Sequence, residues 1–438
     1  PQTYEVNWLN PMVLATKAND EDNPDWDTAM NGPDADGYMD AAKAEMNILE
    51  KKQAWDVVDR ESWMNVLPST WAFKCKRYPD GSIRKLKARF CARGDRQKEG
   101  IDFFETYAPV VRWETVRLML TLSTLLNLHT QQVDYTAAFI HADIDRDPNW
   151  DNMNDEERRR SGVYLEMPRG FGQPGKVLKL RKSLYGLKQS PRNFFNHLKD
   201  KLEGAGLKQQ SDVDPCLFIS DRVICLVYVD DTLFFSPDTK YIEEITEKLQ
   251  APGSDLELEV EDDVAGFLGV LMTHDNGDQT IKLTQEGLIN RIIAALNIGD
   301  LPTVKTPATG PPLVKDEDGE QPDGLFNYAS VVGMLQYLQA HTRPDITYAV
   351  SQCARFVHSP RRSHEQALIR IGRYLKGTSR EGLIFRPELE EGQLVLDIDC
   401  YVDADFAGLW PHENKMDPTS VKSRTGFVIC IANCPVIW

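Results

Sequence analysis

The tetrapeptide Tyr228-Val229-Asp230-Asp231 restricts what this chain can fold into more than any other feature. Val223-Ile224-Cys225-Leu226-Val227 runs up to it and Leu233-Phe234-Phe235 runs away from it. Apolar runs of this length on both sides of a two-residue break predict paired strands of a buried sheet. Adjacent carboxylates at the tip of such a hairpin are costly unless neutralised, and a divalent cation is the usual partner. Favoured two-residue turns carry Gly or Asn; this one has neither, which predicts backbone strain. Alone, the dipeptide reads more often as a solvated turn than as a metal site. A third carboxylate shifts that balance: Asp134 ends a β-prone run and is followed by Tyr135-Thr136-Ala137-Ala138-Phe139. One acid on a strand and two on a hairpin can hold two Mg²⁺ ions roughly 3.5–4 Å apart, an arrangement suited to phosphoryl transfer.

At 438 residues the chain has room for about three domains. Nine Trp and 27% charged residues indicate a globular protein. No stretch approaches the roughly 18–20 apolar residues of a membrane span, and nothing resembles a signal peptide, so no membrane contact is expected. The eight Cys are scattered, and the closest pair, Cys430 and Cys434, lacks the further ligands of a zinc site. Reduced thiols in a cytosolic compartment are the expectation. The chain opens on Pro1, which suggests an excerpt of a longer polyprotein.

The net charge of −17 is unevenly spread. Residues 74–98 hold ten Lys or Arg against two Asp, 169–192 seven against none, and 355–380 seven against one Glu. Acids gather at Asp20 to Asp40, Asp143 to Glu157 and Asp255 to Asp263. Basic blocks in an acidic chain suggest local phosphate-binding faces, with solvated helix surfaces the alternative.

A series of blocks in one order resembles the reverse transcriptase of copia-type LTR retrotransposons. It begins at Ala41-Ala42-Lys43-Ala44-Glu45-Met46 and Trp55, then Asp80-Gly81-Ser82-Ile83, Lys87-Ala88-Arg89 and Tyr107-Ala108-Pro109-Val110. The Asp134 motif, Ser183 to Arg192, and the Asp230-Asp231 hairpin follow. Phe267-Leu268-Gly269, Thr342-Arg343-Pro344-Asp345-Ile346 and Arg373 to Thr378 complete it. The resemblance covers about Tyr38 to the last residue, and the order and spacing of so many blocks is far more specific than any one of them.

The resemblance implies an α+β right-hand polymerase of fingers, palm and thumb, followed by a partial ribonuclease H-like sheet. Residues 1–37 are expected to be a flexible acidic lead-in, and 38–300 the fingers and palm, with a charged insertion at 143–162. Residues 301–390 would be a linker and helical thumb or connection, and 391–438 a truncated ribonuclease H start. The activity implied is RNA-directed DNA polymerisation with two Mg²⁺ ions, Mn²⁺ being a substitute. The partners would be RNA template, DNA primer or template, dNTPs and other polyprotein segments such as integrase and protease. The setting would be a cytoplasmic reverse-transcribing particle, or the nucleus. A catalytically dead relic that still binds nucleic acid is the rival reading.

Residue roles follow by motif position. Asp134, Asp230 and Asp231 would be the metal ligands, joined by the Tyr135 carbonyl. Lys87 and Arg89 would clamp the incoming triphosphate, Arg89 bidentately. Phe139, five residues after Asp134, would abut the sugar's 2′ face, unless it is simply a core aromatic. Gly186 would allow close backbone approach near the templating base, with Lys188 a phosphate contact. Retroviral relatives carry Gln where this chain has Tyr185, so their contacts there do not transfer. Phe267, Leu268 and Gly269 resemble a primer grip, or else form a plain buried strand. Glu259 stands where the family often has a lysine, which puts general-acid help to the leaving group in doubt. Asp403 would be the first ribonuclease H carboxylate. The family's other acids lie beyond Trp438, so no ribonuclease H activity is expected; one carboxylate cannot hold two metals.

Overall fold

A computed structural model describes residues 22–77, 83–254, 256–261, 267, 269–275, 280–386, 396–410, 412–413 and 416–438. The chain divides into two compact units, and the division falls between Asp134 and Tyr135 and between Leu258 and Glu259, among other places. Helices and largely antiparallel sheets occupy separate stretches of chain, an α+β arrangement.

The first unit comprises Pro1–Val110, Tyr135–Gly206 and Glu247–Leu258. Its centre is the hairpin Ser69–Arg77 with Ile83–Ala92, paired from Ser69↔Ala92 through Lys74↔Lys87. Period-two alternation sends Trp71, Phe73 and Phe90 into the core and leaves Lys74, Lys85 and Arg89 exposed. Asp80, Gly81 and Ser82 of the Asp80-to-Ile83 block lie outside the described residues. Helix Ala35–Lys51 adds Tyr38, Ala42, Met46 and Leu49 to the same core. Those positions recur at helical spacing and form one apolar stripe. A four-stranded sheet orders Trp55–Asp59, Lys176–Leu180, Tyr164–Glu166 and Val66–Leu67.

Two segments of this unit are more structured than their composition implies. Within the acidic lead-in, Trp26–Asn31 is helical, with the Asp25 carboxylate capping the Thr28 N–H at 2.8 Å. Its Trp26 ring lies on Trp71 and Phe73. One aromatic anchor fixes a stretch whose polar composition conceals it. Inside 143–162, Asn154 starts the short helix Asp155–Arg160 with a capping box closed by Glu157. Arg159 pairs with Glu61 at 2.8 Å, and its carbonyl accepts from Tyr164 Oη and Lys179 Nζ.

The second unit comprises Val111–Asp134, Leu207–Thr246 and Glu259–Trp438. Its main sheet orders Leu258–Glu261, His129–Tyr135, Asp231–Ser236, Ile224–Tyr228, Asp214–Ile219 and Lys208–Gln210. Strand interiors such as Val133, Cys225, Leu226 and Phe234 are fully buried, as a sheet covered on both faces requires. A helical bundle follows: Glu286–Ala295, Tyr328–His341, Thr347–Ala354 and Arg362–Gly377. Leu288, Ile292, Leu335, Leu338, Leu368 and Ile371 are part of its core. The buried Arg343 binds Asp345 through two bonds and also reaches the Thr378 carbonyl and hydroxyl. The Thr342–Ile346 and Arg373–Thr378 motifs are thereby one structural knot.

The Phe267 segment differs from expectation. The strand there is Leu271–Asp275, and Phe267 forms only an isolated bridge with Val270. Gly269, at φ +72°, turns the chain between them, in a conformation that favours glycine. Leu268 lies outside the described residues. At the end of the chain, Ile398–Ala404, Thr425–Ile431 and Cys434–Ile437 form a three-stranded sheet. Asp403 faces Gly426 across it and is exposed.

Candidate functional site

The strand His129–Tyr135 runs antiparallel to Asp231–Ser236 in a register that sets Asp134 directly opposite Asp231. Directly opposed residues bring their Cβ atoms to roughly 4.5–5.5 Å, and like charges there repel. The same register places Gln132 opposite Leu233, one pleat back on the shared face. Its Nε2 donates to Asp231 Oδ1 at 3.5 Å. The hairpin closes with Tyr228 paired to Asp231, which leaves Val229 and Asp230 as the turn. Val229 takes φ +52°, costly for a β-branched residue and on the order of 1–3 kcal/mol. The expected strain is therefore at Val229, and it turns Asp230 out at the tip beside Asp231.

Like charges crowd the Asp231 carboxyl. Burial, then Asp230, Asp134 and Glu261, push the Asp231 carboxyl up to about 7, against the hydrogen bond from Gln132. Burial, then Asp231 and Asp230, raise the Tyr228 phenol. Three acids drawn from two distant stretches of chain, with a fourth on the neighbouring strand, invite a cation. Among the described residues, no three Asp, Glu, His or Cys groups form a ready-made cage for an ion. The donors are hard oxygens throughout, and they fit Mg²⁺ or Mn²⁺. Glu259 is exposed on the edge strand Leu258–Glu261, and no lysine occupies its place.

The first unit gathers the side chains expected to bind the nucleotide. Arg89 lies on the hairpin face that also carries Lys74, Lys85 and Lys87, and its guanidinium sits 4.6 Å over the Tyr185 ring. Tyr185 meets the buried Phe139 edge-on at 4.8 Å, and Phe139 in turn meets Phe194 at 6.2 Å. Beneath the hairpin, Glu45 accepts from the Phe90 N–H at 3.4 Å. Burial raises its carboxyl, opposed by that bond and by Arg89 and Lys87. Gly186 has φ +88°, and a Cβ there would stand 2.2 Å from the Ala92 carbonyl oxygen. The close approach expected of Gly186 is thus made to this chain's own backbone. Lys188 holds its ammonium 4.7 Å over the Phe103 ring.

Three sequence readings need amendment. Most of the 355–380 block is not an open phosphate-binding face: its cations other than Arg380 bind the arm of residues 299–323. Arg373 donates to the Pro302 carbonyl at 2.6 Å, Arg370 to Thr306 Oγ1 at 2.9 Å, Arg355 to the Leu313 carbonyl at 2.9 Å and Arg362 to Glu320 at 2.5 Å. In the 169–192 block, Arg169, Lys176, Arg181 and Lys182 pair with Asp27, Asp59, Asp56 and Asp143. Nearby carboxylates and carbonyls in the same chain satisfy these cations. Tyr185, Gln132 and Glu45 went unmarked as site residues. Gln132 was findable, since it lies two residues before Asp134 on the same strand face.

The chain is similar to several known proteins. The family model described as reverse transcriptase (RNA-dependent DNA polymerase) matches residues 52–310. The retrovirus-related Pol polyprotein from transposon TNT 1-94 of Nicotiana tabacum is 30% identical over 93% of this chain and 29% of its own length. That from transposon RE1 of Arabidopsis thaliana is 31% identical over 94% of this chain and 26% of its own length. The chain thus spans under a third of either relative. A solved foamy viral protease-reverse transcriptase in complex with dsDNA aligns with a TM-score of 0.41 at 13% identity, covering 91% of this chain and 65% of that one. The matched region holds Asp134, Asp230 and Asp231, and the chain belongs to the reverse transcriptase (RNA-dependent DNA polymerase) family.

Proposed function

We propose that this chain is the polymerase part of a copia-type retrotransposon Pol polyprotein. It adds deoxynucleotides to a primer 3′-hydroxyl on an RNA or DNA template. The observation that carries this reading is the Asp134↔Asp231 register, with Asp230 on the adjoining turn. Two Mg²⁺ ions bound there would acidify the primer hydroxyl and stabilise charge on the leaving pyrophosphate.

The chain's own residues do the rest. Asp134 and Asp231 present carboxylate oxygens to one face of the sheet, and Asp230 extends that face at the tip, with the Tyr135 carbonyl a further oxygen donor. Gln132 orients Asp231. Arg89, backed by Lys87, receives the triphosphate, and its stacking on Tyr185 limits the rotamers it must give up on binding. Phe139 fills the space that a ribose 2′-hydroxyl would need. Phe267 and Gly269, with Leu268, steady the primer end, and Lys188 exchanges its contact with Phe103 for a phosphate. Residues 391–438 would be the start of a ribonuclease H domain, with Asp403 its first carboxylate.

Primer extension on a homopolymer RNA template tests the reading. Asp230→Asn is expected to abolish extension while primer–template binding survives. An unchanged rate would overturn the assignment.

A further inference from the structure

We propose that Gln97 is a positioning residue for nucleotide binding, acting through the backbone of the segment Tyr185–Gln189. This rests on the polymerase reading above.

The side chains of Gln97 and Gln189 are buried, and their amides are spent on one another and on backbone. Gln97 Oε1 accepts the Lys188 N–H at 2.7 Å. Its Nε2 donates to Gln189 Oε1 at 2.9 Å and to the Asp102 carbonyl at 3.2 Å. Gln189 Nε2 donates to the same carbonyl at 2.8 Å. Asp102, itself buried, is fixed by the Lys98 N–H at 2.8 Å and by Asn65 Nδ2 at 2.6 Å, both to Oδ2. At the other end of the joint, the Ala92 N–H donates to the Tyr185 carbonyl at 2.8 Å. A Cβ on Gly94 would lie 2.0 Å from the Gly186 oxygen. The loop after the basic hairpin and the segment beginning at Tyr185 therefore touch backbone to backbone.

A plain core would hold two loops together with apolar side chains. Here two amides set the register, because each bond fixes a direction as well as a distance. What the segment carries is the proposed pocket: Tyr185 against Arg89 and Phe139, and Lys188 over Phe103. Loss of the Gln97 acceptor leaves the part-buried Lys188 N–H without its partner. The segment must then shift to find a partner, carrying Tyr185 and Lys188 with it. Gln97 touches none of the reacting atoms, so its effect falls on nucleotide affinity rather than on the chemical step.

The test is steady-state extension on a homopolymer RNA template with Gln97→Met and Gln97→Glu, each checked for folding by thermal unfolding. Gln97→Met should raise the dNTP KM about tenfold or more, with kcat reduced less, since small displacements remote from the chemistry cost up to about 10²-fold. In Gln97→Glu the protonated carboxyl keeps one acceptor and one donor, so its KM defect should shrink as pH is lowered, unlike that of Gln97→Met. A KM within about twofold of wild type in both variants overturns the proposal, as does an equal loss of kcat with KM unchanged. Should neither variant fold, hydrogen exchange on the wild-type chain decides: a protected Lys188 amide is expected, and rapid exchange there refutes the clamp. A wild-type chain that cannot extend a primer refutes the polymerase reading instead, while the exchange result still judges the clamp.

Discussion

Single residues carry the sharpest electrostatic consequences. His341 ends the helix Tyr328–His341, its ring 4.5 Å from Trp113 and 4.1 Å from Tyr337. Burial holds its imidazole down at about 4, opposed by the hydrogen bond to the Tyr337 carbonyl. A depressed histidine contributes stability that is fully present above its unfolded value near 6.5 and lost as pH falls through 4. The difference corresponds to about 3 kcal/mol. Urea unfolding of the wild type should therefore weaken between about pH 6.5 and 4 by roughly that much more than unfolding of His341→Gln. Parallel pH profiles would show that the ring is not buried neutral. At this scale the sequence was most legible for the aspartates, since a charged pair inside apolar runs has few physical outcomes. Tyr185 was opaque because its partners, Arg89 and Phe139, are remote in sequence and meet it only in the fold.

Among elements, the joint between Ala92–Asp102 and Tyr185–Gln189 makes the strictest demand. Gly186→Ala would have to accommodate both a positive φ and a Cβ 2.2 Å from the Ala92 oxygen. A destabilisation of more than about 1 kcal/mol is expected, read as a lower denaturation midpoint. A variant as stable as wild type would mean that the segment does not dock there. Periodicity made the acid hairpin legible: the apolar runs on either side of the pair are the strands Ile224–Tyr228 and Asp231–Ser236. The misses share a cause. Trp26–Asn31 is a helix held by one indole in a polar stretch, and Phe267 lies in a turn because Gly269 breaks the apolar run. Composition averages over such single anchors.

For the whole molecule the question is where phosphates bind. Charge counting marked three basic blocks, yet in two of them most cations are paired internally, while Lys74, Lys85 and Arg89 on the hairpin are exposed. Lys85→Ala should weaken primer–template binding and lower the slope of log K against log salt by about 1. Arg373→Ala should leave that slope unchanged, because its guanidinium holds the Pro302 carbonyl. Equal effects of the two would mean that the arm leaves its helix on binding. Sequence reported the cations; only the fold reports how they are spent.

The acid cluster remains the feature on which everything else depends. The most direct measurement is single-turnover primer extension on an RNA template with Mg²⁺, comparing the wild type with Asp231→Asn at matched primer–template occupancy. The wild type should extend, and the variant should fall by at least about 10³-fold, the several kcal/mol expected for loss of a metal-binding carboxylate. Extension by Asp231→Asn within a few-fold of wild type would contradict the account.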